Sequence, residues 1–256
     1  TKVIGNGLGA TQEGAITFNE GSADVDFRVE SNGNANMLVV DGGNNRVGVG
    51  TNTPVTLLHL QGSEPDIFLR RTDLTNKAWR FNVQSSTGDL NIKSRNDDGS
   101  ASTTSMVIAH DGYVTMPLQP AFMAKPATQQ NNIAADNSSV DVVFGTEVFD
   151  QNADFASSTF TAPVDGRYQL NIHMRLNNLD SAAAYYVVLL VTSNISYQYI
   201  FDPDFGQDAA FWNTSLSTLA DMDAGDTAKV QIVQNGGTAQ TDISGGEAIF
   251  SGYLVA

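Results

Sequence analysis

The sequence predicts an all-β protein built in two parts, and three observations carry that reading. Apolar and polar residues alternate with the period of a half-buried strand in DVDFRVE (24–30), WRFNVQ (79–84) and DLNIKS (89–94). Other apolar runs are short and β-branched, and Gly, Asn, Asp and Ser interrupt them roughly every eight to twelve residues. No stretch keeps a helical period. The one segment that resembles a helix, SAAAYYVVLLVTS (181–193), has a Tyr-Tyr-Val-Val centre and is followed by ISYQYIF. It therefore predicts two strands joined near Ser193 and Asn194.

The first part, residues 1–118, is rich in Gly and Asn and poor in core formers. MLVVDGGNNRVGV (37–49) echoes MVIAHDGYVTM (106–116), each an apolar strand, a turn with Asp-Gly and a second strand, which suggests two weak repeats. Strands of this kind bury too little surface within one chain. Winding around copies of themselves supplies the missing core and removes open sheet edges. The stretch MPLQPAFMAKPATQQNN (116–132), with Pro117, Pro120 and Pro126, marks the boundary. The second part, 119–256, holds nine of the 13 Phe and six of the seven Tyr, enough for a core of its own.

Within the first part, RVGVGTNTPVTLLHL (46–60) raises a nucleotide-binding question. A dinucleotide fingerprint needs a third glycine and a long helix that presents its N-terminus to phosphate. Here the third position is Thr53, the following segment ends at Gly62, and no alternation of strand and helix surrounds it. Its glycines instead predict a place where three chains crowd together, with Pro54 ending one strand segment before Leu57–Leu60 begins the next.

Charge and composition exclude several classes. The net charge is −15, and residues 121–256 hold four Lys or Arg against 15 Asp or Glu, so nothing there neutralises phosphates. Nucleic-acid binding is excluded on that ground, and an anionic membrane surface is disfavoured. No apolar run is long enough to span a bilayer, so membrane insertion is not expected. Cysteine is absent, which removes disulfides, thiolate metal sites and cysteine nucleophiles. The opening TKVIGNGLGA lacks the basic and apolar regions of a signal peptide and does not begin with Met, which suggests a fragment of a longer chain.

The second part carries a family pattern. FTAPVDGRYQLNIHM (160–174) resembles the signature of the globular head of complement component one subunit q, a jelly roll shared with tumour-necrosis-factor ligands. VVFGTEVFDQNADF (142–155), STLADMDAGDTAKVQIV (217–233) and AIFSGYLVA (248–256) are similar to the family's other strands, in the right order. The matching signature residues are Phe160, Pro163, Gly166, Tyr168, Phe250, Gly252 and Tyr253. The resemblance implies a homotrimeric head. Pro163 suits a strand edge, Asp165-Gly166 a turn, and Tyr168, Leu170 and Ile172 one face of the next strand. Gly252 interrupts the closing alternation of Phe250, Tyr253 and Val255, and suggests close backbone approach near a threefold axis. The first part resembles phage tail-fibre and tailspike shafts, on Arg46-Val47-Gly48-Val49-Gly50-Thr51, Pro54 and Leu58-His59-Leu60.

Candidate chemistry is sparse. His59, His110 and His173 are far apart in sequence, and no nucleophile motif surrounds any Ser. His173 falls where the head family often has a structural His. Calcium is the candidate cofactor, through Asp202, Asp204 and Asp208 in DPDFGQD (202–208); DMDAGD (221–226) is a second acidic cluster on a structural turn. The segment 195–212 concentrates Tyr197, Tyr199, Phe201, Phe205, Phe211 and Trp212 beside acids. Tyr197, Tyr199 and Phe201 are assigned to the core or the trimer axis. Asp204, Phe205, Gln207 and Asp208 are assigned to receptor contact.

The expectation is a non-enzymatic fibre protein of a virion. An interwoven trimeric β-shaft (1–118) would lead to a jelly-roll head (119–256) that attaches the particle to a glycan or protein on a bacterial surface. Other tail proteins would join through a missing N-terminal part. The alternatives are a glycan-cleaving tailspike using carboxylates such as Asp202 and Asp204, a head or decoration fibre, and a secreted bacterial adhesin with the same head.

Overall fold

A computed structural model describes residues 21–256, and the opening stretch of the chain lies outside the described residues. The chain divides between Thr115 and Met116 into two compact units. Among the described residues every regular element is a strand, and there is no helix.

The first unit holds two separate sheets. One runs β1 (Phe27–Ser31), β2 (Asn34–Asp41), β3 (Arg46–Val49) and β4 (Leu58–Leu60), in that spatial order. The first three are antiparallel, whereas β3 and β4 are parallel, pairing Val47 with Leu58 and Val49 with Leu60. The chain returns through a short arch that Arg46 clamps by donating from Nη1 to the Pro54 carbonyl, 2.9 Å. Two glycines make the arch possible. Gly50 has φ of +81°, and a Cβ there would collide with the Gln61 carbonyl. A Cβ on Gly48 would meet the Thr51 carbonyl. The crowding expected from three chains is thus supplied by the arch of a single chain.

The other sheet runs β5 (Asp66–Arg70), β6 (Ala78–Val83), β7 (Leu90–Arg95), β8 (Ser102–Ile108) and β9 (Val114–Thr115), antiparallel throughout. Both echoing segments, 37–49 and 106–116, hold hairpins, β2–β3 and β8–β9. Each sheet is completed by strands of its own chain. One face of the five-stranded sheet is polar and stitched by ion pairs, Arg80 lying 2.5 Å from Asp66.

The second unit is a jelly roll of two stacked sheets. Its strands are β10 (Ala121–Lys125), β11 (Val140–Asp141), β12 (Thr146–Asp150), β13 (Phe155–Ala156), β14 (Thr159–Thr161) and β15 (Gly166–Leu179). They continue with β16 (Tyr185–Thr192), β17 (Ser196–Phe201), β18 (Ala209–Met222), β19 (Thr227–Asn235), β20 (Asp242–Ile243) and β21 (Ile249–Leu254). One sheet has the order β12-β10-β21-β15-β18 with β20 beside β15; the other has β13-β14-β19-β16-β17 with β11 beside β19. The segment 181–193 is strand followed by turn, as its Tyr-Tyr-Val-Val centre requires.

Alternation on the long strands builds the core. Tyr168, Leu170, Ile172, Met174 and Leu176 point inward from β15 and meet Tyr186, Val188 and Leu190 from β16. Phe122 stacks on Phe155 and Phe160, with ring centroids 4.9 and 4.7 Å apart, and meets Phe250 edge-on at 5.0 Å. Each such fully buried ring contributes about 1.5–3 kcal/mol. The buried Tyr168 hydroxyl is satisfied, donating to the Val164 carbonyl at 2.8 Å. Pro163 sits in the bend between β14 and β15, where no ladder needs its missing amide.

Gly252 has a different cause from the one expected. It occupies an inward position of β21, between Phe250 and Leu254, so the alternation there is regular and Tyr253 faces outward at 50% exposure. A Cβ on Gly252 would lie 2.6 Å from Leu170 Cδ2 and 2.8 Å from Phe122 Cε1. The glycine makes room for core side chains of its own chain. Gly252→Ala is therefore expected to destabilise the jelly roll by about 1–3 kcal/mol through overpacking. Chemical denaturation followed by circular dichroism checks it, and an unchanged midpoint would sink the assignment.

Candidate functional site

One end of the jelly roll gathers the loops 126–139, 180–184, 202–208 and 236–241, held by a buried polar network. Asp242, 5% exposed, accepts from the Asn132 backbone N–H at 2.8 Å and from Gln129 Nε2 and Asn178 Nδ2 at 3.0 Å each. The amide of Asp180 faces the hydroxyls of Tyr186 and Thr241, which bond each other at 2.7 Å. Its carboxylate receives the backbone N–H groups of Ala182 and Thr238. Burial pushes the Tyr186 phenol up, so it stays a neutral donor and acceptor. Asn132 and Asn178 adopt left-handed backbone, at φ of 55° and 52°, which asparagine tolerates.

Above this network the 202–208 loop rests on an aromatic ladder. Tyr186 stacks on Phe201 at 5.2 Å, Phe201 on Trp212 at 5.7 Å, and Phe205 lies over Trp212 at 4.8 Å. The ladder starts in the core with Tyr186 and ends at the surface with Phe205, 41% exposed. Tyr197 packs against the core and Phe201 is buried, whereas Tyr199 is exposed in the single chain.

The acidic residues of the loop have separate tasks. Asp202 Oδ1 accepts the Asp204 backbone N–H at 3.1 Å, a local turn. Asp208 reaches back 27 residues, accepting from the backbone and hydroxyl of Ser181 at 2.9 Å each, and from Gln240 Nε2 at 2.8 Å. Among the described residues no group of three or more His, Asp or Glu is placed to hold a metal ion. The expected calcium set of Asp202, Asp204 and Asp208 does not converge: Asp202 closes a local turn, while Asp208 is held by Ser181 and Gln240. The second cluster behaves alike: Asp226 accepts from the Asp223 backbone and from Asn194, and Asp165 accepts from the Ala224 backbone.

Below the loop opens a cleft of about 510 Å³ lined by Asn132, Asn178, Asp208, Ala209, Gln240 and Asp242. Amides and carboxylates dominate it, groups that both donate and accept toward hydroxyl-rich ligands. The sequence pointed to Asp204, Phe205, Gln207 and Asp208 but missed Asn132, Asn178, Gln240 and Asp242. No local motif marks these four, since strand pairing and loop closure bring them together. Elsewhere, His173 Nδ1 lies 3.1 Å from Ser215 Oγ as a cross-strand pair on the open face of its sheet. That nitrogen is the one a catalytic triad would turn to a carboxylate.

The Asp208 carboxyl is held below the usual carboxylate range, chiefly by the Ser181 backbone N–H, then by Gln240 and the Ser181 hydroxyl. A lowered pKa in the folded state contributes stability above the unfolded value and loses it as pH falls through the folded one. Loop closure is thus expected intact at neutral pH and loosened in acid, and Asp208→Asn should flatten that response. Proteolysis of the 202–208 loop measured against pH reads it; a wild-type loop that opens equally at pH 7 contradicts the clamp.

Residues 121–255, just over half of the chain, match the family model of the C1q domain. The chain is similar to the solved globular domain of zebrafish complement 1qA, at 19% identity and a TM-score of 0.37, over 54% of this chain and 98% of that one. It is likewise similar to murine APRIL, at 13% identity and a TM-score of 0.40, over 54% and 99%. No curated protein matches the chain.

Proposed function

The chain belongs to the C1q domain family, and from that premise we propose that it is a homotrimeric fibre protein of a tailed phage whose C-terminal head binds the bacterial surface. Domains of this family form homotrimers and typically act by binding, which supports self-association and recognition without bond-making. The observation that carries the reading is the head's loop end. There an aromatic ladder surfaces at Phe205 on the same loop as an amide and carboxylate cleft. An apolar ring face beside paired donors and acceptors suits a glycan, whose rings present C–H faces and hydroxyls together. The arch at 46–60 and the two thin sheets ahead of the head support the fibre setting, and with it an extracellular place on the virion.

Recognition on this account needs no cofactor. Asp202 and Asp208 shape the loop, while Asp204, Phe205, Gln207, Asn132 and Gln240 present themselves to the receptor. Three heads per fibre, and several fibres per particle, convert weak single contacts into firm attachment through effective concentration.

The test is binding of the full chain to host cells and to a glycan array, with Phe205→Ala and Gln240→Ala beside the parent. Each substitution should weaken binding by about 1–3 kcal/mol, roughly five- to 150-fold, while light scattering still reports a trimer. A monomer at micromolar concentration would sink the proposal. Release of new reducing ends from host polysaccharide would replace it with the glycan-cleaving reading.

A further inference from the structure

The registers of the two N-terminal sheets sort their side chains by chemistry. In the four-stranded sheet one lateral row holds Val40, Val47 and Leu58, flanked on the same face by Leu38 and Val49. The opposite face carries Arg28, Val39, Gly48 and His59. In the five-stranded sheet two complete rows are apolar: Ile67, Phe81, Ile92, Met106, and Val83, Leu90, Ile108, Val114. Leu69 and Trp79 begin a third. The opposite face carries Phe68, Arg80, Lys93 and Thr104 in one row and Asp66, Asn82 and Asn91 in the next.

Among the described residues, both apolar faces keep side chains open to solvent. Leu58 is 57% exposed, Leu69 54% and Trp79 43%. Together the two faces leave on the order of 1,000 Å² of apolar surface open, above the few hundred a soluble monomer shows and near one partner's share of a stable interface.

We infer that these two faces are the shaft's missing core, each packed against the same face of further copies of this chain about a common axis. This rests on the homotrimeric reading and deepens it by naming the surface and how it is used. The faces hold no charged side chain; the Arg and Asp residues lie on the reverse sides. A partner of different chemistry would find nothing there to pair with, whereas apolar interfaces of this kind are typical of identical subunits. The sheets are already complete within one chain, so copies join face to face and not by exchange of strands. Only five residues separate β9 from β10, so a trimeric head holds three such sheets at high effective concentration.

Trp79 reads the face directly. The chain has two tryptophans, so Trp212→Phe leaves Trp79 as the sole emitter. In the full chain carrying that change, Trp79 should emit in the blue and be quenched by acrylamide about threefold less than in the same chain with Phe81→Asp and Ile92→Asp. The doubly substituted chain should remain trimeric through its head yet lose protease resistance before residue 116. Phe68→Asp on the opposite face should change neither reading. A trimer whose Trp79 is freely quenched, or is protected equally with both aspartates present, overturns the inference and leaves the trimer standing. A monomeric parent chain overturns both. The quenching of the Trp212→Phe chain needs no substitution on the face, so the test survives if the aspartate variant fails to fold.

Discussion

A β-sheet that is apolar on one side must lay that side against something dry, and the two halves of this chain meet the requirement differently. In the jelly roll the second sheet comes from the same chain. Tyr168, Leu170 and Ile172 meet Tyr186, Val188 and Leu190, and Phe122 closes the layer against Phe155, Phe160 and Phe250. In the N-terminal unit the same strand alternation makes faces just as apolar, but among the described residues no second layer stands over them. One construction rule thus yields a self-sufficient domain and a unit whose core is left open.

The jelly roll's closed core is what lets its loop end be polar. Asp180, Asp242, Thr241 and Gln234 are buried at the end of a scaffold that holds its strands in register, so their hydrogen bonds cost little further ordering. The loops they pin, with Asn132 and Asn178 in left-handed conformations, are presented as a fixed surface. The aromatic ladder ties that surface to the hydrophobic layer, since Tyr186 belongs to the buried network and to the stack beneath Phe205. Rigidity at the end of such a domain favours recognition, because little entropy is lost when a ligand settles.

Much of this was legible in the residues, and what was not shares a cause. Alternation and turn chemistry mark the strands, and FTAPVDGRYQLNIHM places a bend and a long inward-facing strand where they occur. Glycines were harder. Gly48, Gly50 and Gly252 each announce crowding, but a sequence does not say by what, and in all three the neighbour belongs to the same chain. Acidic clusters misled in the same way. Asp202 and Asp208 look like a shared ligand set until the structure shows one closing a local turn and the other reaching Ser181. Asn132, Gln240 and Asp242 carry no local signal at all, because their proximity follows from strand order. Spacing along a chain reports periodicity well and long-range neighbours poorly.

The same distinction explains the acidity of the second half. A head that folds on its own core gains nothing from a charged surface in stability, yet a domain with four basic residues against 15 acidic ones pays a standing cost in self-repulsion. The carboxylates with the clearest local partners lower that cost by accepting hydrogen bonds, as Asp208, Asp141 and Glu247 do. What remains is a field that repels polyanions at long range, whereas the apolar rows of the N-terminal sheets carry no charged side chain.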